Sequence, residues 1–513
     1  MKNSIIIVIG AVFLTACAVG PDYVRPDLPV DDWTTQNEVS EPNLTWWKQF
    51  DDPVLDQLID KIAVDNLDVA IAEARIIESR ALRGVARSSL LPGLRSQGQF
   101  SRSKQSENSP QFIDAPGLEI PRIQEAYEVG FDAGWELDVF GRNRRALEAS
   151  EARLDAQIAF RRNAVLSVIA EAARVYMELR GSQQRAAILE RNIDIQRQTL
   201  ELVTASYEAG ITREIDVTRA QTLLANSQAQ LPNIRAEVRS SAFRLAVLAG
   251  EAPGEFLETL DAVQPLPTTD NALGLGLKSE LLRRRPDIQI AERQLAASSA
   301  DIGVAVAELF PRFNLLASVG LISSGLSSLF ESSSESFSLA PSVGLPVFEV
   351  GRLRASIAAA RARNEQATAS YMNSVLFAFE EVERALTRYR AELETIEQLE
   401  QAVVSSRRSA ELSLTLYETG LSAFIDVLDA ERVLTSTEDA LIQSQTRALT
   451  ELVSVYKALG GGWEVFEPEA IRQAPEEQAL IGSIPAPSKQ TGANLREEKL
   501  ADRMGRGSGV ASN

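Results

Sequence analysis

Histidine is absent from the 513 residues and cysteine occurs once. The missing imidazole removes the commonest general base and the commonest metal ligand. A single cysteine leaves neither a disulfide nor a thiolate metal site. Most hydrolase and metalloenzyme readings fall on these two counts, and a carboxylate-only site has no motif to support it. Cations are in deficit, with 52 Lys and Arg against 71 Asp and Glu and a net charge of −19. That balance argues against nucleic acid, whose phosphates need Lys and Arg. Aromatics are only 6%, low for a large β protein. Ala, Gln, Glu, Arg and Leu dominate long stretches instead, the composition of extended helices. Past the N-terminus no apolar run reaches the roughly 18 residues of a transmembrane helix. Crossing a bilayer would therefore require a β-barrel.

At the N-terminus Lys2 precedes an apolar run from Ile5 to Leu14 that stops at Cys17. The run is too short to span a bilayer and has the build of a secretory signal peptide over 1–16. Leu14-Thr15-Ala16-Cys17 resembles the bacterial lipobox, in which the Cys is lipidated and becomes the first mature residue. The competing reading is a plain signal peptide with a chance Cys; that Cys17 has no counterpart in the chain speaks against it. Acyl chains contribute about 0.8 kcal/mol per buried methylene, so several chains on one Cys make a firm anchor in membrane lipid. Ala18 follows, not Asp, which in such signals favours sorting to the outer membrane.

An internal duplication organises the rest. Tyr207-Glu208-Ala209-Gly210 recurs as Tyr417-Glu418-Thr419-Gly420, Ile215-Asp216-Val217 as Ile425-Asp426-Val427, and Gly141-Arg142 as Gly351-Arg352, all at an offset of 210. Upstream the offset is 219: Ile71-Ala72-Glu73 pairs with Ile290-Ala291-Glu292, and Pro92 with Pro311. The first copy thus holds nine extra residues between Pro92 and Gly134, placed around Glu107 to Arg122, where an insertion belongs in a loop. Two long copies make a duplicated fold, not a solenoid.

Each copy opens with a helical run that ends at a Pro, and alternating stretches follow. Val129, Phe131, Ala133 and Trp135 alternate with Gly130, Asp132, Gly134 and Glu136. In the second copy Phe337, Leu339, Val343 and Leu345 alternate with Ser336, Ser338, Ser342 and Gly344, and Asn314 to Leu321 alternate less cleanly. Alternation over roughly 10 residues is the membrane-barrel strand signature. A half-buried strand of a soluble sheet is the other reading, and paired hairpins at matched places favour the barrel. Strands are expected at about 94–103, 125–137, 312–322 and 336–347. Four strands cannot close a barrel and an open edge cannot sit in lipid, so closure demands oligomerisation; three chains give twelve strands. Pro341 removes a ladder donor and is expected at a bulge or near the rim.

Long helical hairpins are expected over 141–250 and 351–460. Gly141 to Ala209 is 69 residues, roughly 100 Å as a continuous helix. Gly210 and Gly420 are helix stops. The return helices carry a seven-residue apolar line: Val217, Leu224, Leu231, Val238 and Leu245, then Val427, Leu434, Leu441, Ala448 and Val455. Such a line suits coiled-coil packing and equally ordinary two-helix packing. Pro232 should kink the first return helix.

These residues resemble the outer-membrane factor family typified by TolC and OprM, most closely its NodT-type lipoprotein branch. The resemblance rests on Val19-Gly20-Pro21-Asp22-Tyr23, Trp46-Trp47 with Phe50 and Asp52-Pro53, Trp135-Glu136-Leu137-Asp138 with Phe140-Gly141-Arg142, Arg283-Arg284-Arg285-Pro286-Asp287, and Leu245 to Gly250. It implies a mixed fold: a membrane β-barrel of twelve strands, four per chain of a homotrimer, above a long α-helical barrel. It places 17–54 as a lipid-anchored equatorial segment, 55–250 and 285–460 as the two repeats, 251–284 as an equatorial linker, and 461–513 as an equatorial end with a disordered tail. The implied function is the passive exit duct of a tripartite RND-type efflux system, working with a periplasmic adaptor and an inner-membrane RND pump. No enzyme activity, metal or cofactor is implied beyond covalent lipid on Cys17.

By the same resemblance the Tyr-x-x-Gly turns, with Tyr207 and Tyr417, form the closed periplasmic tip where the adaptor docks. Asp426 and Asp429, spaced i, i+3 and so on one helix side, match the family's pore-facing acidic pair. Asp216 and Tyr417 match closing contacts between hairpins. Alternatively, Asp216 and Asp426 simply favour helix N-termini. The family's gate-locking Arg is here Ser422, and Arg213 in the first copy is displaced by one position. A protein-secretion exit and a lipid-anchored coiled-coil scaffold or adhesin are the competing functions.

Overall fold

The computed structural model describes residues 18–26, 43–104, 106, 123–267 and 283–468. The leader 1–16, Cys17, the Glu107–Arg122 insertion and the tail from 469 lie outside them, with the expectations placed there.

Helix α1 (Pro53–Asp65) leads into α2 (Leu67–Ser88). The Asp52 carboxylate accepts the Val54 and Leu55 N–H groups at 2.9 and 3.3 Å. The Asn66 side chain accepts those of Asp68 and Val69 at 2.8 and 3.3 Å. Both caps satisfy donors that a helix start leaves open, and Pro53 sits where its missing N–H costs nothing. Strands β1 (Gly93–Lys104) and β2 (Ile123–Leu137) follow, then α3 (Arg142–Glu208) and its return helix α4 (Glu214–Leu248). After the short α5 (Leu257–Leu260) the order repeats with α6 (Pro286–Ala307), β3 (Arg312–Ser323), β4 (Glu335–Gly344), α7 (Val350–Glu418) and α8 (Phe424–Ala458). At 1.5 Å per residue the 67 residues of α3 and the 69 of α7 each run about 100 Å. Helix α4 continues unbroken through Pro232.

The strands form one antiparallel sheet in the order β1-β2-β3-β4. Register puts Ser96, Phe131 and Val319 side by side, with Phe337 beyond. Because side chains alternate, one face collects Phe100, Val129, Phe131, Trp135, Leu315, Val319, Phe337 and Leu339. The other collects Gln97, Glu128, Asp132, Glu136, Asn314, Ser318, Ser338 and Ser342. Phe337 is 83% exposed and Leu339 65%, so within one chain the apolar face is uncovered. β1 and β4 each have a partner on one side only. Among the described residues no helix is long and apolar enough to cross a membrane.

Of the two placements expected for Pro341, a bulge or the rim, the bulge does not occur. The register runs through Leu315↔Pro341 without a slip, towards the strand end at Gly344. β4 is an edge within the chain, where a missing donor is tolerated.

The largest core lies partway along the helices. Trp46, Trp47, Leu55, Ile59 and Ile62 pack on Val165, Ile169, Tyr176 and Leu179 of α3, with Leu245 of α4 and Leu452 and Tyr456 of α8. Trp46 stacks on Tyr456 at 5.3 Å, and the Arg162 guanidinium sits 4.6 Å over Trp463. Arg180, 1% exposed, donates to Tyr176, Gln183 and the Ala262 carbonyl. The segments before α1, after α4 and after α8 are thus bound to one girdle. Of the seven-residue apolar lines, Val217, Leu245, Val427, Ala448 and Val455 are buried. Leu224 and Leu231 pack against Leu189 and Ile193 of their own hairpin, so two-helix packing accounts for that stretch.

Candidate functional site

Both hairpins reverse at a glycine in the left-handed region, Gly210 at φ +74° and Gly420 at φ +73°. The Gly210 N–H donates to the Tyr207 carbonyl at 2.8 Å and Ile211 to Ser206 at 2.9 Å. Gly420 donates to Tyr417 at 2.9 Å and Leu421 to Leu416 at 2.8 Å. These bonds close carbonyls that a helix end leaves open. A Cβ at either glycine would meet nothing within 4 Å. The backbone, which costs an L-residue about 1–2 kcal/mol in this region, is therefore the reason for glycine.

Four helices meet just behind the turns. Val203 of α3, Val217 and Ala220 of α4, and Phe424, Val427 and Leu428 of α8 form one buried cluster, with Leu414 and Tyr417 of α7 against it. The Tyr417 ring lies 5.2 Å from Phe424. Tyr207, its counterpart in the first copy, is 42% exposed and outside the cluster. The two turns are thus alike in backbone and unlike in side-chain packing.

The acidic residues divide the same way. Asp216 is buried in the first turn of α4, with Arg213 Nε and Arg219 Nη1 each 3.8 Å from its oxygens. A buried carboxylate needs such compensation. Burial, then the Asp216 charge, pushes the Tyr417 phenol above its ordinary pKa, against a smaller opposite pull from the Thr212 and Ser206 hydroxyls. Even so, the hydroxyls of Tyr417, Thr212 and Ser422 are buried without a hydrogen bond of good geometry. Asp426 and Asp429 are both exposed. Asp426 Oδ2 accepts the Ala423 N–H at 3.2 Å, so it caps α8 as well as facing solvent. Asp429 bonds Arg432 at 2.6 Å. Sequence reasoning missed Arg432, though its i, i+3 spacing from Asp429 was visible. It also missed Arg219 and Phe424.

A groove between α4 and α8 opens beside these acids. It encloses about 350 Å³ and is lined by Ile215, Thr218, Leu223, Ile425, Leu428 and Asp429, among others. Far from the tip, the Val19 N–H donates to the Phe140 carbonyl at 3.1 Å and the Val19 carbonyl accepts from Arg145 at 3.3 Å. The chain two residues after Cys17 is thereby pinned at the junction of β2 and α3.

The sequence model described as outer membrane efflux protein matches residues 58–251 and 277–461. The solvent efflux pump outer membrane protein SrpC of Pseudomonas putida is 32% identical over 484 residues, covering 91% of this chain and 100% of that protein. Nodulation protein T of Rhizobium leguminosarum bv. trifolii is 32% identical over 468 residues, covering 88% and 96%. Among solved structures, the outer-membrane channel OprN superposes with a TM-score of 0.82 at 37% identity, covering 87% of this chain and 100% of that one. The open state of the MtrE outer membrane channel of Neisseria gonorrhoeae gives 0.78 at 29% identity, covering 87% and 99%. The duplicated strand and hairpin pattern, the apolar sheet face and these likenesses agree: the chain belongs to the outer membrane efflux protein family.

Proposed function

We propose that the chain is the passive exit duct of a tripartite RND-type efflux system, a homotrimer whose twelve strands close a barrel in the outer membrane. The observation that carries this is the sheet. Its apolar face is uncovered and its two edge strands are unpaired within the chain, and such a sheet is stable in lipid only when closed. The helical hairpins extend about 100 Å from it, on the scale of an envelope gap. SrpC and OprN, an efflux pump component and an outer-membrane channel by name, support the same role. A lipid-anchored scaffold or adhesin gives no reason for an uncovered apolar sheet face. The family is one of channel proteins, not of enzymes.

In this reading Cys17 carries the lipid, next to the pinned Val19. The turns at Gly210 and Gly420 close the periplasmic end, where a periplasmic adaptor docks to join the duct to an inner-membrane pump. Asp426 and Asp429 face the pore axis. With three chains, their mutual repulsion disfavours a dry closed state unless cations or protons intervene, and Arg432 offsets part of it.

Single-particle imaging of protein extracted from outer membranes tests the proposal. A trimeric rod of roughly 130–140 Å is expected from a helical tunnel stacked on a membrane barrel. A monomer, or a rod without a barrel, would sink it.

A further inference from the structure

Between α3, α7 and α8, close to the tip cluster, lies a cavity of about 270 Å³. Glu431 and Glu438 of α8 and Asn192 and Gln196 of α3 line it, each more than nine-tenths buried. Glu438 is fully engaged, by Arg407 at 2.7 Å and Asn192 at 3.4 Å. Glu431 is not. One oxygen accepts the Thr199 hydroxyl at 3.0 Å and the other has no partner among the described residues. Both amide atoms of Gln196 are likewise without a partner among the described residues.

The charged groups facing this cavity are Arg191 of α3, Arg407 and Glu411 of α7, and Glu438 of α8 itself. Arg407 is committed to Glu438, and Glu411 bonds Arg408 at 3.3 Å. Arg432, the next residue on α8, bonds Asp429 on the exposed side. Among the described residues no cation compensates Glu431, and no neighbouring charge shifts it. A carboxylate so placed is costly, and the neutral acid is favoured. The neutral acid also brings an O–H donor, the partner that the Gln196 carbonyl oxygen lacks.

We propose that Glu431 is a proton-sensitive latch on the α3–α8 seam, seated against Thr199 and Gln196 when protonated and driving α8 off α3 when ionised. Asp426 and Asp429 lie just before it on the same helix, so movement of α8 at Glu431 reaches the tip. The sign follows from the geometry. Burial raises the Glu431 pKa in the packed seam, against a smaller lowering by Thr199. Packing is therefore complete below the ordinary glutamate range and is lost as pH rises through the raised value. The link to gating rests on the duct reading; the seam movement does not.

The experiment labels Ile195→Cys and Thr435→Cys, on opposite walls of the cavity, with nitroxides in the full-length protein. The α3–α8 distance is then followed across pH by pulsed electron resonance. It should lengthen with rising pH in a one-proton transition above the usual glutamate range. In the same background Glu431→Gln should abolish the transition and hold the short distance. Thr199→Val should move the midpoint to higher pH, a shift that a merely structural contact would not produce. A distance indifferent to pH, or an unaltered transition in Glu431→Gln, overturns the latch. Planar-bilayer recordings complete the test. An open probability that rises with the same midpoint supports coupling to the gate, and a constant one beside a moving seam overturns that coupling. Failure to form pores is a failure of the duct reading, while the distance still decides the latch.

Discussion

Gly130 of β2 and Gly320 of β3 are direct cross-strand partners, and each occupies the space where the other's side chain would stand. A Cβ on Gly130 would lie 2.7 Å from the Val319 carbonyl oxygen, and one on Gly320 would lie 2.5 Å from that of Val129. Both obstacles are backbone, so a side chain can be accommodated only by parting the strands. If the sheet closes into the proposed trimeric barrel, Gly320→Val is expected to lower the yield of assembled trimer several-fold, read as loss of the slow-migrating, heat-modifiable band on semi-native gels. Ser318→Val, nearby on the same face but without the close approach, should assemble normally.

Removal of the acidic pair should loosen the tip. In Asp426→Ala with Asp429→Ala, α8 loses the N3 carboxylate that accepts the N-cap Ala423 N–H, a hydrogen bond worth about 1 kcal/mol, and Arg432 loses its partner. More frequent openings in planar bilayers are expected; unchanged conductance and gating would count against the assignment.

An open pore lined by these carboxylates, in a chain of net charge −19, should prefer cations weakly. Reversal potentials in a salt gradient measure this directly. The preference should shrink at high ionic strength and in the double alanine variant, and anion preference would contradict the placement of both residues on the pore axis.

Tyr417 separates two roles. Its ring packs on Phe424, while its hydroxyl is buried without a hydrogen bond of good geometry among the described residues. Tyr417→Ala should destabilise the tip by roughly 2 kcal/mol through lost packing. Tyr417→Phe removes an unsatisfied group and should be neutral or stabilising by about 1 kcal/mol. Amide hydrogen exchange at 410–430 distinguishes them; faster exchange in Tyr417→Phe would mean that a neighbouring subunit supplies the missing partner.

Gly420→Ala tests the turn alone. With open space around it, only the backbone penalty of about 1–2 kcal/mol applies. Exchange of the Leu421 amide, which closes the turn on Leu416, should quicken roughly tenfold, and Gly420→Asn should do so less.

What could be read from the sequence follows the range of each interaction. The alternation of Val129, Phe131 and Trp135 is local, and those residues do share a face. The stops at Gly210 and Gly420 are local too, since left-handed backbone singles out glycine. For Pro341 the sequence left a bulge and the rim both open, because either excuses a missing donor, and only the register of the whole sheet removes the bulge. Tyr207 and Tyr417 look equivalent in the repeat, yet only Tyr417 has an aromatic partner across its own hairpin, because the place of Phe424 is taken by Glu214 in the first copy. Glu431 carried no signal at all. Its burial depends on a helix more than 200 residues away, and charged residues on a long helix read as a solvated face.

The unpaired edges of β1 and β4 also bear on how the protein is made. A lone subunit has no lipid-compatible state, because its open ladders would face hydrocarbon without hydrogen-bond partners. If the chain is the trimeric duct proposed above, insertion and association are therefore a single event, with no membrane-embedded monomer between them. In that reading, surveillance of defective copies acts beforehand, while the apolar sheet face is still open to chaperones and proteases.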